Sequence, residues 1–496
     1  MNELLGGVAP ALDPCILDDL PKSMVIGGEH VAATSGSCFE TYDPGTGRAF
    51  AAVPAGEAAD VDLAVAAARE ALQGQWRATP PAERGRILLR TANLIRRDKK
   101  RLAVIETLDC GKPLRESLSD METAARYFEY YAGIADKLQG ESIPLGRDFV
   151  SFTMHEPVGV TAHIIPWNYP LNTTARGGAP ALAAGNTVIV KPAEETPLTA
   201  LLLADLLAEA GLPRGVYNVV TGTGPEAGAP LAGHPGVDHI TFTGSVPTGI
   251  DVMTAAARHV ASVTLELGGK SPLIVLADAD LNAAVEGTLK AIFTNAGQVC
   301  SAGSRLIVER SVHGAMLERL ATEASRLTAG HGLTDAPIGP IVSPVQLARI
   351  TAMVDAAKSR GVSLVTGGVA IHPPRFEGGW YYAPTILDGV PPDDPAAQEE
   401  IFGPVLTVLP VDSAEEALTV ANGTAFGLVA GIYTRDITRA LRLARDVGAG
   451  QVYINQYFAG GVETPFGGVG MSGFGREKGL EGVKAYYRVK CITARI

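Results

Sequence analysis

Apolar and polar residues alternate along this chain in two manners, and the change between them divides it. Residues 59–75, ADVDLAVAAAREALQGQ, set Ala, Val and Leu at helical spacing behind an acidic cap, and PPAERGRILLRTANLIRRDKKRLAVIETL continues in that style from a proline start. With the hairpin-like MVIGGEHV before them, they predict a mostly helical segment up to about residue 130. From Gly159 onward, short β-rich runs (VTAHII, NTVIVKP, VYNVVTG, HITFTGS, VTLELGG) alternate with helical ones such as LTALLLADLLAEAG. Such alternation predicts βαβ units and a mostly parallel sheet. A second series follows: SPLIVLA, DLNAAVEGTLKAIF, RLIVER, VHGAMLERLATEASRL, then AGIYT, DITRALRLARD and QVYIN. Two α/β domains joined near residues 266–270 are the simplest reading. The final VKAYYRVKCITARI has strand character and no helical partner, so it either caps the second sheet or pairs outside its own domain.

Composition narrows the class. The 496 residues are 46% hydrophobic with 57 glycines and 33 prolines, which suits large cores linked by many tight turns. The net charge of −12, with no dense basic cluster, argues against nucleic acid as a partner. The N-terminal MNELLGGVAPALDPCILDDLPK lacks the basic start and apolar core of a secretory leader, and no run approaches the ~18 apolar residues of a membrane span. A soluble, cytoplasmic protein is expected. Cysteines at 15, 38, 110, 300 and 491 are odd in number, dispersed and without C-x-x-C spacing, so neither a disulfide framework nor a metal site is expected.

Several segments could carry chemistry. Cys300, in TNAGQVCSAGSR, follows a predicted helix among small residues that leave the thiol uncrowded; it reads as a nucleophile or as a small buried hydrophobe. Glu266 ends a predicted strand before Gly268 and Gly269, where open α/β sheets place active groups; desolvation would make it a base, while pairing with Lys270 would make it structural. Asn168, in the proline-bracketed turn IIPWNYP, can donate to an oxyanion or satisfy its own backbone, and Trp167 beside it belongs to a core or walls a ligand. Lys191 and Glu194 lie at the end of a strand, where they could meet the ribose of a dinucleotide and where a carboxylate repels a 2′-phosphate. ITFTGSVPTG reads as strand, glycine turn and helix start, suited to phosphate, and GTGPEAG at 222–228 matches the dinucleotide glycine fingerprint only loosely.

Taken together, PWN at 166–168, KPAE at 191–194, FTGS at 242–245, ELGGKSP at 266–272, GQVC at 297–300, EEIFGPV at 399–405 and PFGG at 465–468 resemble the aldehyde dehydrogenase superfamily, in its order and spacing, from residue 24 onward. The resemblance implies that Cys300 attacks an aldehyde carbonyl, that Asn168 and the Cys300 N–H hold the oxyanion, and that Glu266 activates the water that hydrolyses a thioester. It implies NAD as cofactor: Lys191 and Glu194 at the adenosine ribose, Glu400 at the nicotinamide ribose with Phe402 beneath the ring. Gly244, Ser245 and Gly249 would form the pyrophosphate side, Ile164, Pro166 and Trp167 would line the cofactor channel, and Gly224, Phe242 and Leu267 would also belong to the cofactor site. Arg476 and Glu477 would support the site from behind.

The fold so implied is α/β: a Rossmann-type cofactor domain (1–135 and 156–265), a catalytic domain (266–479), and a small β oligomerisation element (136–155 and 480–496) that makes a homodimer or homotetramer and turns the C-terminal strand toward a neighbouring subunit. For the substrate, Tyr169, Thr173, Arg176, Ser301, Tyr457, Phe458 and Phe466 would line a mouth of mixed polarity. Arg176-Gly177 stands where many members carry an aromatic residue and lysine, so Arg176 either meets a substrate carboxylate or faces a neighbouring helix; Thr294 takes the place of a second arginine. Two alternatives share the fold: a CoA-acylating semialdehyde dehydrogenase, against which Glu266 argues, and a cofactor-binding protein without turnover.

Overall fold

The structure, a computed structural model, describes residues 14–17 and 19–496; the leader reading of residues 1–13 and the side chain of Cys15 lie outside the described residues. Two sheets organise it. The first runs, from edge to edge, Glu29–Val31, Met24–Ile26, Tyr217–Val219, Thr187–Lys191, Val160–Ile164, His239–Thr243, Ser262–Glu266 and Gly473–Phe474. The strands from Tyr217–Val219 to Ser262–Glu266 are parallel, and both flanks are antiparallel additions. From Val160–Ile164 the chain steps outward to Thr187–Lys191 and Tyr217–Val219, then returns to build His239–Thr243 and Ser262–Glu266 on the other side. That reversal opens a crevice beyond the C-terminal strand ends, where open α/β sheets bind ligands.

The second sheet is ordered Ser363–Thr366, Thr385–Asp388, Val405–Val411, Arg305–Glu309, Pro272–Val275, Val429–Tyr433 and Gln451–Ile454, parallel except at its first edge. Its five inner strands are buried nearly throughout, which is why segments such as PLIV and VLTVLPV are almost wholly apolar in the sequence. Three departures from the sequence reading stand out. A second hairpin, Cys38–Asp43 with Arg48–Pro54, precedes the helices; its half-exposed faces dilute the apolar signal. The strands Ser363–Thr366, Thr385–Asp388 and Val405–Val411 extend the second sheet through a region that periodicity left unassigned.

The third departure is the helix Pro170–Ala184, which forms despite Gly177, Gly178 and an internal Pro180. It is wholly enclosed, and Gly177 is required there: a Cβ would come within 2.6 Å of His163 Nδ1. Tertiary enclosure overrides intrinsic propensity at these positions. The C-terminal strand Tyr487–Arg495 pairs antiparallel with Phe149–Pro157 of its own chain, in unbroken register from Tyr487 opposite Pro157 to Arg495 opposite Phe149. It forms a small three-stranded sheet with Ser142–Ile143 and is not an edge of either large sheet. Among the described residues no helix is long and apolar enough to cross a membrane.

Candidate active site

Cys300 is delivered by an abrupt reversal after the helix Leu281–Phe293. Asn295, Ala296 and Gly297 hold φ of 47°, 53° and 73°, a left-handed run that L side chains rarely adopt and that turns the chain back on itself. Gly297 is needed there, since a Cβ would sit 2.0 Å from the Gly403 carbonyl oxygen. The buried Gln298 side chain pins the loop, donating to the carbonyls of Asn295 (3.1 Å) and Pro340 (3.2 Å) and accepting from the Val342 N–H (2.9 Å). Asn168 is tied to the same loop: its Nδ2 donates to the Gln298 carbonyl at 2.9 Å, and its own carbonyl accepts from Asn295 Nδ2 at 3.2 Å. An amide has two N–H donors, so one remains for a ligand. Burial pushes the Cys300 thiol up to about 11, with Arg176 acting against the rise and the carboxylates of Glu400 and Glu266 adding to it.

Glu266 ends its strand 2% exposed, and neither carboxylate oxygen has a hydrogen-bond partner. Burial, and then the like charge of Glu477, holds its carboxyl well above the usual range. It does not pair with Lys270, whose buried Nζ has no hydrogen-bond partner and whose pKa burial lowers to about 7. The backbone approaches Glu266 through Gly467, where a Cβ would come within 2.7 Å of Oε1. Behind it stands Glu477, buried and ion-paired with Arg176. Arg176 therefore faces the segment after Gly473–Phe474 and not a neighbouring helix; its Nη2 also donates to Thr243 Oγ1 at 3.3 Å, and its guanidinium lies 5.5 Å from the Phe466 ring centroid. Arg476 Nη1 donates to the carbonyls of Gly468 (2.9 Å) and Gly475 (2.6 Å).

Two cavities meet at this point, and both are lined by Asn168, Thr243 and Cys300. The smaller, about 140 Å³, gathers Pro166, Trp167, Gly244, Ser245, Glu266, Glu400 and Phe402. Glu400 accepts from the Gly269 N–H at 3.1 Å, and a Cβ on Gly268 would collide with its carboxylate at 2.1 Å. Burial raises Glu400 to about 7. Phe402, at φ 57°, stands edge-on to Trp167 with centroids 5.2 Å apart. Gln346 and Arg349, which sequence reasoning missed, also line this cavity; they donate to the carbonyls of Phe402 (2.9 Å) and Glu400 (2.9 Å) and so fix that loop.

Further cofactor-side residues sit around this cavity, next to its lining residues Gly244 and Ser245. Ser245 caps the helix Val246–Ala257, accepting from the Thr248 N–H. Phe242 and Leu267 pack on glycines, a Cβ at Gly244 meeting the Phe242 ring at 2.5 Å and one at Gly249 meeting Leu267 at 2.6 Å. Ile164 lies between Lys191 and Phe242 in the sheet register. Lys191, buried, bonds the half-exposed Glu194 at 3.0 Å, and the turn Gly224–Gly228 lies against it, with Gly228 nearest the Lys191 side chain.

The larger cavity, about 350 Å³, is lined by Tyr169, Thr173, Arg176, Ser301, Phe458 and Phe466. Tyr457 is not among its walls: it is 3% exposed, its ring fills the space left by Gly431 and Gly303, and its hydroxyl donates to the Ser301 carbonyl at 2.9 Å. Its position in the core, beneath the pocket floor, corrects the sequence expectation. Missed in the sequence were Glu116, Ser119, Asp120, Thr123 and Tyr127. They form one stripe of the helix Leu114–Ala132 at helical spacing, a polar row on an otherwise packed helix that periodicity alone could have flagged.

The aldehyde dehydrogenase family model matches residues 30–492. DhaS of Bacillus subtilis (strain 168) is 42% identical over 478 residues, 96% of either chain. Among solved structures, the aldehyde dehydrogenase of Bacillus cereus in its NAD+ complex superposes with a TM-score of 0.95 at 41% identity, covering 98% of this chain and 99% of that one. Betaine aldehyde dehydrogenase of Staphylococcus aureus, also with NAD+, gives 0.95 at 36% identity over 97% and 95%. With the cysteine, carboxylate and amide brought to one crevice, this chain belongs to the aldehyde dehydrogenase family.

Proposed function

We propose that this protein oxidises an aldehyde to a carboxylic acid with NAD, using Cys300 as nucleophile. The observation that carries the reading is that Cys300 and Asn168 line both cavities, so one sulfur faces a substrate space and a cofactor space at once. The smaller cavity suits a dinucleotide: glycines leave room for backbone approach, Ser245 opens a helix with free N–H groups, and the half-buried Glu400 carboxylate lies where a ribose needs acceptors. Lys191 and Glu194 would bind the second ribose, the Glu194 carboxylate disfavouring a 2′-phosphate. NAD, when bound, supplies the acceptor for the hydride that leaves the substrate carbon.

The chain's own groups do the rest. The Cys300 thiolate adds to the carbonyl carbon, and the oxygen, now negative, is met by the free Asn168 N–H and the Cys300 backbone N–H. Loss of hydride leaves a thioester on Cys300. Glu266, unpartnered and desolvated, takes a proton from water as the water oxygen adds to the thioester carbon; the C–S bond then breaks, releasing the acid and returning the thiolate. Arg176 and Glu477 hold the back wall of this step as positioning residues.

Residues 1–135 with 156–265, 266–479, and 136–155 with 480–496 form the cofactor, catalytic and oligomerisation units in this reading. Phe149, Val150, Phe152, Met154, Val489 and Ile492, exposed on the small sheet, support self-association as a homodimer or homotetramer. Free thiols at Cys38, Cys110, Cys300 and Cys491 support a cytoplasmic setting. The test is NADH formation from aldehydes without CoA, with the acid identified as product and NAD preferred over NADP. Cys300→Ser should lower kcat by at least about 10⁴-fold. Turnover that needs CoA, or that survives this change, overturns the reading.

A further inference from the structure

We propose that the substrate is an aldehyde carrying a carboxylate at its far end, held by Lys478 and Lys290; this rests on the oxidation reading and names the substrate class of the same site. The larger cavity is lined by charges of both signs: Glu116 and Asp120, against Arg176, Lys290 and Lys478. What separates the two signs is whether their partners are already present. Asp120 is engaged on both oxygens, Oδ2 by Lys112 at 2.6 Å and Oδ1 by Asn172 Nδ2 at 3.3 Å. Glu116 accepts from the Asn295 N–H at 3.0 Å through Oε2, while its Oε1 lies 3.8 Å from Arg115. Burial raises Glu116 to about 7, which further reduces its negative charge near neutral pH. Arg176 is likewise engaged, by Glu477.

The two lysines are not. Lys290 stands exposed at the cavity wall on the last turn of the helix Leu281–Phe293 and makes no ion pair among the described residues. Lys478 lies deeper, its Nζ 4.9 Å from the Phe466 ring centroid, with no carboxylate of the described residues within ion-pair distance; burial lowers it to about 8, which leaves it mostly protonated at neutral pH. A cation resting on an aromatic face in a partly desolvated pocket gains strongly from an anion that reaches it. The unfilled requirement of this cavity is therefore an acceptor, and an incoming carboxylate supplies it while the carbonyl carbon stands at Cys300. Arg176, for which the sequence left open a substrate carboxylate or a structural partner, is held by Glu477 and acts on the wall.

The experiment compares kcat/KM with NAD for 4-oxobutanoate, butanal and the cationic (trimethylammonio)acetaldehyde in the wild type, Lys478→Met, Lys478→Arg and Lys290→Gln. Wild type should favour 4-oxobutanoate over butanal by about tenfold or more, and Lys478→Met should reduce that ratio by about tenfold while Lys478→Arg restores most of it. Lys290→Gln should reduce it less, as a more solvated charge does. Should Lys478→Met fail to fold, the wild type still decides: added NaCl should raise KM for 4-oxobutanoate and leave that for butanal unchanged. Butanal or the cation used as well as the anion, or a ratio indifferent to both lysines, overturns the proposal while the oxidation reading stands. If none of the three reduces NAD while another aldehyde does, this proposal is overturned and the oxidation reading stands; if no aldehyde does, both fail.

Discussion

The two cavities that share Cys300 are built by different means. The smaller is walled by short consecutive stretches at strand ends, Pro166–Asn168, Thr243–Ser245 and Glu266–Gly268, where glycines bring backbone close to the site. The larger is walled by single side chains spaced along two helices, Leu114–Ala132 and Pro170–Ala184, and by Phe458, Phe466 and Lys478. One side is thus fixed by main chain and tolerates little change; the other is fixed by side chains that can be exchanged singly. Damage to the two sides should read differently.

Glu266, on the main-chain side, gives the largest contrast. Glu266→Gln should keep a first burst of NADH in rapid-mixing measurements while steady turnover falls by about 10²- to 10⁴-fold, because acylation precedes the need for a base. A variant without the burst would assign Glu266 to the first step. On the side-chain wall, Arg176→Met leaves Glu477 buried beside Glu266 without its counter-ion, and urea unfolding should show a loss of about 3–5 kcal/mol. Adding Glu477→Gln should recover part of that loss. An unchanged urea midpoint would mean that the pair does not hold this wall.

The smallest effect concerns the junction. Because burial raises the Cys300 thiol to about 11, its thiolate is a minor form at neutral pH and grows as pH rises toward that value. Alkylation of Cys300 by iodoacetamide in the free protein, followed by peptide mass spectrometry, should speed up about tenfold per pH unit between pH 7 and 9. A plateau below pH 8 would show a thiolate already formed on the side facing the smaller cavity.

The same contrast explains what could be read from the chain. The central strands of the first sheet, and Pro272–Val275, Arg305–Glu309, Val429–Tyr433 and Gln451–Ile454 of the second, were legible as apolar runs alternating with helical ones, whereas Ser363–Thr366, Thr385–Asp388 and Val405–Val411 were not; Cys300, Glu266 and Asn168 were legible because each sits in a compact run of small or rigid residues. The stripe Glu116–Tyr127 was not, since its members are separated by core residues and acquire a common purpose only when the helix packs over Cys300. Arg176 was visible but its partner was not: a pairing across roughly 300 positions leaves no local pattern. Tyr457 failed for the converse reason, being adjacent in sequence to the wall residue Phe458 while projecting into the core beneath it.

Gly473–Phe474 joins the first sheet beside Leu265 and Glu266, long after the rest of that sheet is complete in chain order. During synthesis, a nascent polypeptide can form most of its cofactor crevice early, yet the base lacks its neighbouring strand and Glu477 until about 200 further residues have been added.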